Sequence, residues 1–208
     1  MITKALELFC GTKSFTKVIQ KYVNTTITSD INERFNPDIC EDIFNLEFKE
    51  GEFDIIWASP PCEGFSVASI GKHWNRDHTP KTEKAKLSLD MIRKTIDIIK
   101  TIKPKYWFIE NPRGKLRKVI DDILIESLGN SYKRETICYC RYGDTRMKPT
   151  DIWTNAFEWK PEDKMCQNGN PDHESAPRGS KTGTQGLKNY ELRSVIPPAL
   201  FEELIKKL

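Results

Sequence analysis

The 208-residue chain contains no long hydrophobic run. None of its apolar stretches approaches the roughly 20 residues that a membrane helix needs. The opening MITKALELF also lacks the basic segment, apolar block and small-residue cleavage site of a secretory leader. The expectation is a protein that stays in a reducing cytoplasm, where its six cysteines serve as thiols or metal ligands rather than disulfides. Nor is there an excess of charge of one sign. With 33 Lys and Arg against 30 Asp and Glu, the net charge of +3 permits a nucleic-acid partner without requiring one. What is present is ordinary for a folded chain: 38% hydrophobic, 10% aromatic and 30% charged residues. That composition excludes disorder and fits one globular domain with a sizeable core.

Short apolar runs alternate with helical periodicity. Ala5–Phe9 reads as a buried strand entering a tight turn at Cys10-Gly11-Thr12. Phe15, Val18 and Ile19 follow at helical spacing, then β-branched Thr25–Ser29 ends at Asp30. Phe53–Ser59 is a third strand, and Pro60-Pro61 forces the chain out of the sheet. A helix is expected over Glu83–Ile102, with a stripe of Leu87, Met91, Ile98 and Ile102 widened by Ile92, Ile96 and Ile99, and Pro104 as its stop. Lys105–Asn111 is a fourth strand, ended by Pro112. Leu116, Val119, Ile120, Ile123, Leu124 and Leu128 mark a second amphipathic helix that stops at Gly129. RETICYC and TDIWTN read as two later strands, a hairpin around Tyr142-Gly143-Asp144. Residues 159–190 are nearly free of aliphatics and read as an irregular loop or a metal-stapled knuckle. Pro197 and Pro198 open a last helix carrying Leu200, Phe201, Leu204, Ile205 and Leu208. Such alternation predicts an α/β fold whose mostly parallel sheet is covered on both faces, with ligands outside the carboxyl ends of its strands.

Those strand ends carry the chemistry. The glycine turn at Phe9–Thr12 lets backbone approach a ligand. Asp30 suits ribose hydroxyls and Asp42 an adenine edge, although an acid ending a strand is more commonly a cap or turn residue. Ser59-Pro60-Pro61-Cys62-Glu63-Gly64-Phe65-Ser66 fixes a cysteine just past a strand, as a thiol nucleophile requires; the alternative is a buried, inert thiol. Glu110-Asn111-Pro112 puts a carboxyl at the edge of an apolar region, where burial favours a proton donor.

Taken in order, these segments resemble the DNA cytosine-5 methyltransferases. Pro61, Cys62, Phe65 and Ser66 match the family's Pro-Cys-Gln-x-Phe-Ser, with Glu63 in place of glutamine. Glu110 and Asn111 match Glu-Asn-Val, with Pro112 in place of valine. Leu8, Phe9 and Gly11 match the S-adenosylmethionine loop, but Lys13 and Ser14 stand where two glycines are usual. Ser29–Ile31 and Asp42-Ile43 resemble the ribose- and adenine-contacting segments. Tyr142-Gly143 opens a stretch in which Arg146 replaces a glutamine, Lys148 keeps one positive charge and Thr150 loses another. SVIPPALFEEL resembles the terminal motif that packs beside the cofactor loop.

The resemblance implies a Rossmann-like S-adenosylmethionine-dependent methyltransferase fold with DNA, most simply duplex DNA, as partner. Cys62 would attack cytosine C6, Glu110 would protonate N3, Asn111 would hold the loop, and Arg146 or Lys148 would orient base or phosphate. Leu8, Phe9, Cys10, Gly11, Thr12, Asp30, Ile31, Asp42, Ile43, Pro60, Ser194 and Val195 would line the cofactor. Ile70–Lys84 would be a loop closing on substrate, with Lys72, Arg76 and Lys81 on phosphates and Trp74 stacked on a base; without the family it reads as a solvated charged loop. The organisation implied is a core over 1–158, a small insert over 159–192 in place of a large recognition domain, and a returning helix over 193–208. This is most similar to compact phage and prophage proteins of a bacterial or phage-infected cytoplasm. The same chemistry on a nucleotide, single strand or RNA, and a non-catalytic DNA-binding protein keeping the fold, are the alternatives. Arg178, Lys181 and Lys188, interleaved with Gly179, Gly183 and Gly186, read as a flexible basic strip for the duplex.

Four late residues suggest a structural zinc ion. Cys138, Cys140, Cys166 and His173, with Asp172 as an alternative, supply tetrahedral ligand types in a segment too polar to order itself. If Cys138 and Cys140 share a strand they face the same side. The competing reading is two core-facing cysteines and an unrelated histidine.

Overall fold

The structure is a computed structural model that describes residues 2–67, 70–162, 165–167, 169–174 and 189–208. Seven strands form one sheet: β1 (Lys4–Leu8), β2 (Thr25–Asp30), β3 (Ile39–Cys40), β4 (Ile55–Ala58), β5 (Tyr106–Pro112), β6 (Lys133–Cys138) and β7 (Pro149–Thr154). Their order is β3-β2-β1-β4-β5-β7-β6. The first five run parallel, while β7 lies antiparallel between β5 and β6. The chain leaves β1 outward to β2 and β3, then returns to β4 on the other side. The carboxyl ends of β1 and β4 therefore flank the point where strand order reverses, where open α/β sheets hold their ligands.

Period-two alternation sends successive strand residues to opposite faces, and both faces are covered. On one, Leu6, Leu8, Ile56, Ala58, Trp107, Ile109 and Trp153 pack under α3 (Glu83–Ile102), which the short α2 (Ile70–His73) precedes, and α4 (Ile120–Leu128). On the other, Ala5, Ile55, Trp57, Phe108 and Ile152 meet α1 (Thr16–Ile19) and α6 (Pro198–Lys206). Trp57 anchors this second core, stacking on Phe15 at 5.7 Å and Phe108 at 5.6 Å, with Phe201 edge-on at 4.8 Å.

Helix α3 has the predicted bounds. The Thr82 hydroxyl caps it by accepting from the Ala85 N–H, and Lys103 ends it in the left-handed conformation at φ +51°, just before Pro104. Of the expected stripe, Ile92, Ile96, Ile98, Ile99 and Ile102 are buried, Met91 is partly buried and Leu87 is exposed, while Ala85 and Leu89 are buried in addition; each buried isoleucine contributes about 1.5–3 kcal/mol. Residues Lys115–Lys118 form a 3-10 turn before α4 rather than its first turn. The two late strands pair antiparallel as read, but β6 stops at Cys138. Tyr139–Tyr142 is a 3-10 turn closed by Gly143 at φ +84°. Trp159, first residue of the expected insert, is wholly buried and donates from Nε1 to Glu203 Oε1 at 2.9 Å. Among the described residues no helix is long and apolar enough to cross a membrane.

Candidate active site

The cysteine turn is fixed from three sides. Pro60 is buried and its carbonyl accepts the Asn111 Nδ2–H at 2.9 Å, which ties the end of β4 to the end of β5. Residues Glu63–Phe65 form a 3-10 turn whose Phe65 N–H donates to the Cys62 carbonyl at 3.0 Å. At Gly64 a Cβ would stand 2.3 Å from Ser88 Oγ, so the turn lies directly on α3. From the other side the backbone at Gly114 passes so close to the Phe65 carbonyl that a Cβ would sit 2.4 Å from its oxygen. Cys62 itself is exposed at the cleft mouth, yet protein surrounds its thiol closely enough that desolvation pushes the pKa up. The Lys148 ammonium pulls it down, while the Glu110 and Glu63 carboxylates push it further up. The thiol is thus accessible but protonated at rest. Glu63, which stands where the resemblance has glutamine, pairs with Lys84 of α3.

Glu110 lies in β5, opposite Ile152 of β7, and is almost wholly buried. Its Oε1 accepts from the Tyr139 hydroxyl at 2.9 Å. Burial and the Glu110 carboxylate hold the Tyr139 pKa well above its ordinary value, so this phenol remains a donor. Beside Glu110, Asn111 is fully buried. Its Oδ1 has no hydrogen-bond partner among the described residues, so an acceptor is left to be satisfied. Lys148 stands 4.7 Å over the Tyr139 ring and donates to the Arg193 carbonyl at 3.2 Å.

Arg146 is engaged by the protein itself. It is buried, paired with Asp144, and donates to the carbonyls of Leu192, Arg193 and Val195, each at 2.9 Å. It fastens α5 (Tyr190–Ser194) and the chain beyond it to the β6–β7 connection.

Near the end of β1, buried Glu7 accepts the N–H groups of Phe15 and Thr16 at 3.1 and 2.8 Å, which shapes residues 9–15 into a loop. Burial raises its pKa to about 7. Phe9 (φ +55°), Gly11 (φ +45°) and Lys13 (φ +57°) are left-handed. Lys13 thus adopts a conformation that glycine takes without cost, and its Nζ holds the Asn36 carbonyl. The Ser14 hydroxyl accepts the Ile196 N–H at 3.2 Å, so the second replaced glycine docks the C-terminal segment. Leu8 and Cys10 are buried, and burial pushes the Cys10 thiol up to about 12, which marks it as inert. Thr12 Oγ1 lies 3.1 Å from Ser14 Oγ. Asp30 accepts from Gly11 N on one oxygen and Asn32 N on the other, both at 2.9 Å. Ile31 beyond it is exposed, whereas Ile43 is buried and Asp42 caps the turn Ile43–Asn45 through the Phe44 N–H. Ser194 bonds the Glu191 carbonyl, and the Val195 carbonyl is taken by Arg146.

The segment after Cys62 is built differently from the expected loop. Lys72, Arg76 and Lys81 are exposed. Trp74 is buried: it stacks on Phe65 at 5.8 Å and donates from Nε1 to the Gly64 carbonyl at 2.7 Å, so no face is open to a base. Lys115, also buried, packs its ammonium 5.3 Å from the Trp74 ring and 2.6 Å from His78 Nδ1. Residues 70–82 therefore rest on the cysteine turn through one indole.

Of the expected metal ligands, Cys140, Cys166 and His173 lie together. Cys138 packs beside the two cysteines but, with Cys140 in the 3-10 turn, the two do not share a strand. Asp172 is held by Arg141. Arg178, Lys181 and Lys188, with the glycines between them, lie outside the described residues. The sequence reading missed Tyr139, Lys115 and the Gly64–Ser88 contact. Only Gly64, beside the cysteine, carried a local signal.

The family model for C-5 cytosine-specific DNA methylase matches residues 4–129, from β1 to the end of α4. A frog virus 3 (isolate Goorha) protein described as a probable DNA (cytosine-5)-methyltransferase is 28% identical over 219 aligned positions, covering 97% of this chain and 98% of the relative. Two solved structures share the fold. The Entamoeba histolytica methyltransferase EhMeth has a TM-score of 0.53 at 19% identity, covering 80% of this chain and 57% of that one. A candidate DNA modification methyltransferase encoded within an E. coli prophage has 0.52 at 14%, covering 73% and 46%. The chain thus spans about half the length of the solved structures it matches. With a matched segment that holds both the cysteine turn and the Glu-Asn strand end, the chain belongs to the C-5 cytosine-specific DNA methylase family.

Proposed function

We propose that this chain methylates C5 of cytosine in duplex DNA, with S-adenosylmethionine as methyl donor and Cys62 as the covalent catalyst. The observation that carries the reading is one pairing. An accessible thiol and a buried carboxyl project from the ends of adjacent parallel strands, β4 and β5, cross-tied by Asn111 to Pro60.

The residues around the β1 and β2 ends fit the cofactor. A carboxylate has about four lone-pair sites on its two oxygens, and Asp30 uses one on each for Gly11 and Asn32. One site per oxygen is left for the two ribose hydroxyls. Ile31 offers an exposed apolar surface for a flat base, beside half-buried Asp42. When bound, S-adenosylmethionine supplies an electrophilic methyl group. The remaining work belongs to the chain. Cys62 Sγ, once deprotonated, bonds to C6 while Glu110 gives a proton to N3, which leaves C5 nucleophilic. After C5 is methylated, N3 returns its proton to Glu110, and loss of the C5 proton to solvent expels Cys62 Sγ as the thiolate and restores the C5–C6 double bond. Lys148 supports the thiolate, Tyr139 holds Glu110, and Asn111 keeps the cysteine turn against β5. A duplex substrate must give up its base from the stack at a cost of a few kcal/mol.

The test is nucleoside mass spectrometry of unmethylated duplex DNA, single-stranded DNA and RNA incubated with the protein and S-adenosylmethionine. 5-Methylcytosine in duplex DNA with intact protein and none with Cys62→Ala is the expected result. Product confined to single strands or RNA reassigns the substrate. No product on any of them, with labelled S-adenosylmethionine still bound, identifies a binding protein that keeps the fold.

A further inference from the structure

Three soft ligands converge where β6 ends, outside the methyl-transfer machinery. Cys140 Sγ, Cys166 Sγ and a ring nitrogen of His173 all lie within 4.8 Å of one another, and Cys166 Sγ is 3.3 Å from His173 Nδ1. A tetrahedral zinc ion with bonds of about 2.3 Å to sulfur and about 2.0 Å to nitrogen spaces its ligand atoms about 3.5–3.8 Å apart. The two cysteines are buried and the histidine half-buried, which fits a closed structural site better than an open catalytic one.

The surroundings say what such an ion would hold. Residues 165–167 and 169–174 contribute one buried residue to any apolar cluster, Cys166, and that cluster holds only Cys138, Cys140 and partly buried Met147 besides. Fixing a residue costs about 1–2 kcal/mol of backbone entropy, and so thin a cluster does not offset that over the segment. Yet the segment lies against the β6–β7 connection: the Glu174 N–H donates to the Thr145 carbonyl at 2.9 Å, and the backbones of Glu174 and Arg146 form an isolated parallel β-bridge. A bound metal ion supplies the missing stabilisation directly, because ligand binding and ordering are one process. Exchange of Arg141 and Asp172 beside the cluster leaves the cysteines and histidine as the soft donors.

We propose that Cys140, Cys166 and His173 bind one zinc ion. Cys138 packs beside the two cysteines and stands nearest to the fourth position. The ion staples residues 165–167 and 169–174 to the turn that carries Tyr139 and, through Thr145 and Arg146, steadies the grip on α5. Binding releases the thiol protons to solvent and involves no redox change. The inference is independent of the methyl-transfer reading, since its readout is metal content.

The full chain is purified from zinc-supplemented culture, dialysed into metal-free buffer with reductant, and analysed by elemental mass spectrometry. About one zinc per chain is expected, with Cys166→Ser and His173→Ala each retaining under about a tenth. Cys40→Ser, which alters a cysteine outside the cluster, should retain the full complement. To keep the test independent of how the ligand variants fold, the wild-type chain is also loaded with cobalt. Thiolate-to-cobalt charge-transfer absorption with intense tetrahedral bands is expected. A folded wild-type chain with no stoichiometric metal, or cobalt spectra without thiolate bands, would overturn the proposal.

Discussion

The cysteine turn is held so tightly against α3 that one methyl group should misplace the Cys62 thiol, the proposed nucleophile. In Gly64→Ala the new Cβ would meet Ser88 Oγ at 2.3 Å, Ser88 Cβ at 2.7 Å and the Lys84 carbonyl at 3.3 Å. Ordinary contact needs about 3.5–4.0 Å, so the turn must back away from the helix by about 1 Å. The helix cannot yield instead, since its other side is packed through Ile92, Ile96 and Ile99. Overpacking of this kind costs about 1–3 kcal/mol of stability, which leaves the domain folded, whereas a 1 Å displacement of a reacting group costs about 100-fold in rate. Steady-state methyl incorporation into DNA should therefore show kcat down about 100-fold, with the far-ultraviolet circular dichroism unchanged. Relief should come from the opposite side: Gly64→Ala combined with Ser88→Gly removes both clashing atoms. It should recover most of kcat, even though a glycine inside the helix costs about 1 kcal/mol. Wild-type kcat in the single variant, or no recovery in a folded double variant, would refute the account.

Buried Asp151 accepts twice from Arg117, at 2.9 and 2.5 Å, and once from Thr136. Arg117→Ala strands that charge and should cost about 3–5 kcal/mol in urea unfolding. Because the Cys62 thiol is held above its ordinary value and Lys148 lowers it, Lys148→Met should slow iodoacetamide labelling of Cys62 at pH 8 and move the labelling curve to higher pH, read by peptide mass spectrometry. Glu7 has a folded pKa of about 7 against an ordinary 4.5. The folded state holds the proton more tightly, so the contribution is fully present below pH 4.5 and lost as pH rises to about 7. Unfolding free energy should fall by about 3 kcal/mol across that window, and Glu7→Gln should flatten the dependence.

The strand ends were legible because proline and glycine punctuate them. Pro60-Pro61, Pro104 and Gly129 each stop an element for local steric reasons, and Cys62 follows directly on the first of these stops. What depends on distant partners was not. Alternation carries Thr136–Cys140 onward as a strand, yet the chain turns after Cys138 to put the Tyr139 hydroxyl on Glu110, which is 29 residues away. Trp74, among charged residues, reads as exposed, and only the Phe65 ring and the Gly64 carbonyl explain its burial. Leu87 sits on the expected helical stripe of α3 but lies at its edge and is exposed, while the isoleucines of that stripe are buried. Arg146 matches a family position by spacing, and its engagement by three carbonyls from α5 and beyond has no sequence signature.

The Ser14–Ile196 hydrogen bond joins positions 182 residues apart, and Leu200, Phe201 and Leu204 fill the core around Trp57. During translation the first strand and its loop emerge long before their partners do. At about 5–20 residues per second, the nascent chain spends on the order of ten seconds or more with residues 9–15 held by Glu7 alone and not yet by the C-terminal segment. A chain cut short before residue 196 would keep Cys62 and Glu110 but lose both the Ser14–Ile196 hydrogen bond and the helix that closes the core around Trp57.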